Sequence, residues 1–174
     1  MKGNDMKRKM AVLFLPLGLA APASADNDRS TTHGLEGTWR MEVTTRNCDT
    51  GAPLLSFRAY LTFARGGTMT GTTASPAFRP GQRTSDHGVW RRTGAHMYKT
   101  ASEAFILFDS PPSPPLPPFT RGWQWIGQEI TIDPHDPDVL QSDARTEFYD
   151  MAGTELSSGC ATAVGHRFQL EPLD

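Results

Sequence analysis

The feature that most constrains this chain is an alternation with a period of two residues. Over 36–169 short extended runs follow one another, each ended by turn-forming residues. In the run 36–46, Trp39, Met41, Val43 and Thr45 fall on one side, and Arg40, Glu42, Thr44 and Arg46 on the other. Side chains of an extended backbone point alternately to opposite faces, so this pattern marks a strand with one face buried. The run 56–65 repeats it, with Phe57, Ala59, Leu61 and Phe63 on the inner side. Further strands are expected over 68–74, 87–92, 96–108, 119–132, 139–149 and 154–169. Between them lie turn clusters such as 47–51, Arg65-Gly66-Gly67-Thr68, Thr93-Gly94, 133–138 and 150–153. The 16 Gly and 14 Pro suit such a turn-rich fold and exclude a helical bundle. Eight sequential runs with short links predict an all-β, eight-stranded antiparallel up-and-down barrel. A two-sheet β-sandwich is the alternative.

The first 25 residues read as an address. Lys7-Arg8-Lys9 precedes a short apolar stretch over 10–21, and Ala23-Ser24-Ala25 follows as a cleavage triplet before Asp26. This is the layout of a secretory signal peptide. The apolar stretch is too short to span a bilayer comfortably, and no other stretch is long enough. The expected organisation is a signal peptide over 1–25, a flexible N-terminal segment over 26–35 and a barrel domain over 36–170. The expected location is secreted or periplasmic, with no membrane span in the mature chain. Removing 1–25 takes away four of the 17 basic and one of the 19 acidic side chains, which leaves a net charge of −5. No basic run survives, so a nucleic-acid partner is not expected.

Two cysteines remain, Cys48 and Cys160. In an exported chain an even pair reads as a disulfide, here joining the first strand region to the last. The alternative is two separate buried thiols. The run PPSPPLPP over 111–118 must be polyproline II and cannot join a sheet interior, so it reads as a stiff connecting loop.

The inward faces point to a function. One face of 96–108 carries Tyr98, Thr100, Ser102, Ala104, Ile106 and Phe108. One face of 139–149 carries Leu140, Ser142, Ala144, Thr146 and Phe148, and one face of 154–169 carries Cys160, Thr162, Val164, His166 and Phe168. Large apolar residues lie towards the ends, with small or hydroxyl residues between. A solid core would carry Val, Leu and Ile throughout. An eight-stranded barrel lined in this way can hold one small ligand. Tyr98, Thr100, Ser102, Ser142, Thr146, Thr162 and His166 are the candidate ligand-binding residues. Trp123 and Trp125 share a strand face. They either clamp a flat ligand at the barrel mouth or cover the outside of the sheet beneath the proline run.

Catalytic signals are thin. No nucleophile elbow, phosphate-binding loop, dinucleotide fingerprint or zinc-protease motif occurs. His166 aimed inward near Tyr98 or Ser102 suggests a general base, or else a structural histidine. Asp133, Asp136 and Asp138 around His135 offer oxygen ligands, but two prolines and the lack of a bidentate Glu read as a solvated turn. No metal or cofactor is expected.

Gly37-Thr38-Trp39 on the first strand resembles the G-x-W signature of the lipocalins and the wider calycin group. The whole chain is closest in look to exported lipocalin-like proteins of bacteria. In that family the first-strand Trp packs across the barrel floor against an Arg of the last strand, and Arg167 is the matching position. The resemblance implies structural roles for Trp39 and Arg167 and a barrel that holds a small molecule. The leading reading is therefore an exported protein that binds a small hydrophobic or amphipathic molecule. An isomerase or cyclase on the same barrel, or a cavity-free partner-binding or inhibitor protein, are the alternatives. A hollow barrel separates the first from the last, and a buried titratable group poised over the cavity favours the enzyme.

Overall fold

A computed structural model describes residues 34–108 and 121–170. The strands are β1 (Gly37–Arg46), β2 (Pro53–Phe63), β3 (Thr68–Thr73), β4 (Asp86–Arg92), β5 (Met97–Ile106), β6 (Gly122–Ile132), β7 (Val139–Asp150) and β8 (Glu155–Arg167). Each pairs antiparallel with the next, and β8 pairs back with β1 from Trp39↔Arg167 to Arg46↔Cys160. The sheet is thus a closed eight-stranded barrel wound in chain order. The expected signal peptide and the proline run 111–118 lie outside the described residues, as do the first residues of the N-terminal segment. No helix among the described residues is long and apolar enough to cross a membrane.

The turns follow from local chemistry. Between β2 and β3 the chain reverses at Gly66 and Gly67, with φ of 95° and 89°. That left-handed backbone is open to glycine and resisted by residues with a Cβ. The 133–138 segment is a turn in which Asp133 accepts from the His135 amide and Asp136 from the Asp138 amide. In each case an Asp side chain bonds the backbone two residues on, the local contact by which Asp holds a turn.

One end of the barrel is sealed. Trp39, fully buried, lies among Leu35, Phe63, Tyr98, Ile130, Ile132 and Leu140. Its indole Nε1 donates to Leu35 O at 2.9 Å, so the one polar atom of the ring is satisfied. The Arg167 guanidinium covers the ring from the last strand, 4.2 Å from its centroid. Arg167 also donates to Asp138 Oδ1 at 2.8 Å, Glu36 O at 2.6 Å and Gly34 O at 2.8 Å. One side chain thus ties the N-terminal segment, the β6–β7 turn and β8 to the floor.

Cys48 and Cys160 form a disulfide, with Cα atoms 5.3 Å apart and a sequence separation of 112. It sits at the seam where β1 meets β8, so it fastens the two strands that close the cylinder. In the unfolded chain it removes the entropy of a very long loop. Replacing both cysteines with serine is expected to cost about 2–4 kcal/mol, read from urea denaturation of the two proteins. Equal midpoints would mean that the β1–β8 ladder closes the barrel unaided.

One expected face assignment is corrected, and one left open is settled by the register. On β8 the buried residues are Ala163 and Gly165, while Val164 and Phe168 are 43% and 52% exposed and His166 is exposed. Thr162 pairs with outward Thr44 and accepts from Arg46 Nε at 2.8 Å. The inner face of β8 is therefore Ala161, Ala163, Gly165 and Arg167, one residue out of step with the expectation. The cause is steric. A Cβ on Gly165 would stand 2.6 Å from Met41 Sδ and 2.8 Å from Leu140 Cγ, so the floor leaves no room for a larger residue there. The displaced apolar residues form an outer cluster instead: Phe168 meets Tyr60 edge-on at 6.3 Å and lies under Arg40.

On β6 the buried positions are Gly122, Gln124, Ile130 and Ile132, so Trp123 and Trp125 face outward. Trp123 stacks on Tyr149 with centroids 5.5 Å apart. Trp125 lies over Gly127, where a Cβ would meet its ring at 2.3 Å. Of the two readings of this pair, the outer-sheet one matches the register.

Candidate functional site

Above the sealed floor the barrel is hollow. A cavity of about 670 Å³ runs from Met41 and Leu61 up to an open end at residues 47–49 and 75–78. Its two walls differ in chemistry. Neighbouring β1 and β2 supply Met41, Val43, Phe57, Ala59 and Leu61, an apolar wall. The other wall, from the β3–β4 connection, β4, β6 and β7, carries Arg83, Asp86, Gln124, Gln128, Ser142 and Thr146 among the apolar Ile126, Ala144 and Phe148. Phe78 leans over the mouth, 6.3 Å from Phe148, and Cys48 and Cys160 lie on the rim.

The polar wall is organised around a buried ion pair. The side chains of Arg83 and Asp86 are 4% and 5% exposed, and Arg83 Nη2 stands 3.2 Å from Asp86 Oδ1. Arg83 Nε donates to Gln124 Oε1 at 2.6 Å, and its Nη1 donates to Thr84 O at 3.1 Å. Gln124 Nε2 in turn donates to Thr146 Oγ1 at 2.7 Å, and Thr146 passes its hydrogen to Trp125 O. Ser102 Oγ supports the far oxygen of Asp86 at 3.3 Å. Burial lowers the pKa of Arg83 from its ordinary value, and the Asp86 charge and hydrogen bond push back. Inside a low-dielectric barrel such a pair persists only when its remaining donors and acceptors are also satisfied. Backbone pairing sets the positions: Asp86 sits across from Gly71, whose missing Cβ would otherwise fall 2.5 Å from Asp86 Oδ2.

The residues read from the sequence divide into groups. Ser142 and Thr146 line the cavity. Tyr98, Thr100 and Ser102 are buried on the inner face but lie against the floor or behind the ion pair. Tyr98 packs against Trp90 with centroids 5.8 Å apart, and Ser102 reaches the site through Asp86. Thr162 reaches the cavity at its rim, beside Arg46, whereas His166, Trp123 and Trp125 belong to the outer surface. On that surface Tyr149 donates to Glu147, and the bond raises the phenol's pKa above its ordinary value.

The principal residues of the polar wall were missed. Arg83 and Asp86 stand at the end of a Pro/Gly-rich loop, where charged residues ordinarily face water. Gln124 and Gln128 were hidden by the tryptophans beside them. Gly71 was the available signal, because a glycine inside a strand marks a place where something approaches closely.

Among the described residues no group of three or more His, Cys, Asp or Glu is placed to hold a metal ion. No protein-family model and no curated protein matches the sequence.

Proposed function

We propose that this is an exported, lipocalin-like protein whose barrel holds one small apolar or amphipathic molecule. The observation that carries the reading is the cavity itself: about 670 Å³, closed below by the Trp39 floor, open above, and lined by one apolar and one polar wall. Its size lies within the roughly 300–1,000 Å³ usual for small-molecule sites, and a few convergent polar groups on an apolar background are what such sites use for orientation. Support for the lipocalin-like part comes from Trp39 under Arg167, the arrangement implied by Gly37-Thr38-Trp39. Export is supported by the Cys48–Cys160 disulfide together with the leader-like first 25 residues. Asp86 stands on the cavity wall but is engaged by Arg83 and Ser102, which favours binding over catalysis.

Native mass spectrometry of the oxidised protein purified from its host tests this. A co-purifying small molecule, lost on denaturation, is the expected result. Protein that carries no adduct and does not enhance the fluorescence of the neutral apolar dye Nile red overturns the reading.

A further inference from the structure

We propose that the polar wall selects a neutral amphipathic molecule whose head offers an oxygen acceptor, such as a carboxamide or ester carbonyl, to Gln124 and Gln128. The proposal rests on the reading of the barrel as a ligand pocket and adds the chemistry of the head group.

Two observations carry it. The first is charge. Arg83 and Asp86 are the buried charges of this wall, and they cancel at 3.2 Å. A ligand carboxylate brought here gains no net positive charge and meets Asp86, so its desolvation goes uncompensated. A ligand ammonium meets Arg83 with the same result. A neutral head meets neither obstacle.

The second observation is the balance of donors and acceptors. Gln124 Oε1 is taken by Arg83, and Gln124 Nε2 directs one of its two hydrogens to Thr146. Among the described residues Gln128 Nε2 donates to nothing, while Gln128 Oε1 takes the Ser142 hydroxyl at 3.5 Å. Thr100, which pairs with Gln128 across β5 and β6, holds the only buried side-chain polar atom without a partner among the described residues. The spare capacity facing the cavity is in the Gln124 and Gln128 N–H groups, and the Thr100 hydroxyl behind them is buried and without a partner. An oxygen acceptor placed at Gln124 and Gln128 supplies what is missing. The apolar body of the same molecule then lies along Val43, Phe57 and Leu61 on the facing wall.

Displacement of Nile red by lauramide, methyl laurate and laurate, which share one chain and differ in the head, tests this near neutral pH. Lauramide and methyl laurate are expected to bind about tenfold tighter than laurate or better. Gln128→Leu is expected to weaken lauramide about tenfold with an unchanged far-UV circular dichroism spectrum. Asp86→Asn frees the Arg83 charge and is expected to move the preference towards laurate. Laurate binding as tightly as lauramide to the unaltered protein overturns the head-group assignment while leaving the pocket intact, and so does a Gln128→Leu variant with unchanged lauramide affinity. Failure of all three to displace the dye removes the pocket reading and this proposal with it.

Discussion

Asp86→Ala is expected to destabilise the barrel by about 3–5 kcal/mol in urea denaturation at neutral pH, among the largest effects of any single change in the cavity wall. The cost does not come from losing the attraction itself. Arg83 remains charged, buried and fastened by Gln124 and Thr84, and it has nowhere to take its charge except by pulling the β3–β4 connection towards water. Removing both charges is a different experiment. In Arg83→Met/Asp86→Ala the desolvation of the pair disappears along with its attraction, and most of the loss is expected to return. Recovery will be incomplete, because Gln124 Oε1 and Thr84 O lose their donor. A double variant as unstable as Asp86→Ala alone would show that the ion pair is itself a main support of the fold. A single variant within about 1 kcal/mol of the parent would show that Arg83 reaches solvent, and that this wall is not a dry recognition surface.

That ion pair also shows where the sequence stops being readable. The strands and the closed barrel were legible because alternation in β1, β2, β5 and β7 agrees with burial almost residue for residue: Trp39, Met41, Ala59, Leu61, Phe63, Tyr98 and Leu140 are all inside. The disulfide and the Trp39–Arg167 contact were legible too, the first from an even pair of cysteines behind a leader-like N-terminus and the second from a three-residue motif. On β8 alternation pointed the wrong way for a physical reason, and on β6 it left two readings of the tryptophan pair open. An inner wall that must leave space carries glycine, alanine and glutamine beside a few isoleucines, and Trp123, Trp125, Val164 and Phe168 then stand on the outer face. Hydrophobicity reports burial in a filled core, but in a hollow barrel the volume of a side chain and the volume available to it decide the register. Gly165 facing Met41 and Leu140, and Gly71 facing Asp86, are where that competition is visible.

Trp39→Ala is expected to cost about 3–5 kcal/mol, because it deletes the largest of the fully buried side chains. The space left cannot collapse easily. Its walls are backbone of a closed cylinder, and the residues around it, Phe63, Ile130 and Leu140, are already packed on strands fixed by pairing on both sides. Arg167 loses its ring but keeps Asp138, Glu36 O and Gly34 O, so the guanidinium stays in place above a void. Trp39→Phe separates the components. It keeps most of the bulk and an aromatic face for Arg167, but strands Leu35 O, and is expected to cost about 1–3 kcal/mol. Arg167→Lys keeps the charge while losing the planar stack and the fork that binds several carbonyls at once, so it too is expected to be destabilising. Both alanine and phenylalanine variants serve as tests of the pocket. If the indole is what makes the cavity blind at one end, Trp39→Ala weakens Nile red retention even at temperatures where the variant is fully folded, and Trp39→Phe does not. Equal retention in the two would show that the cavity holds its occupant by its walls alone.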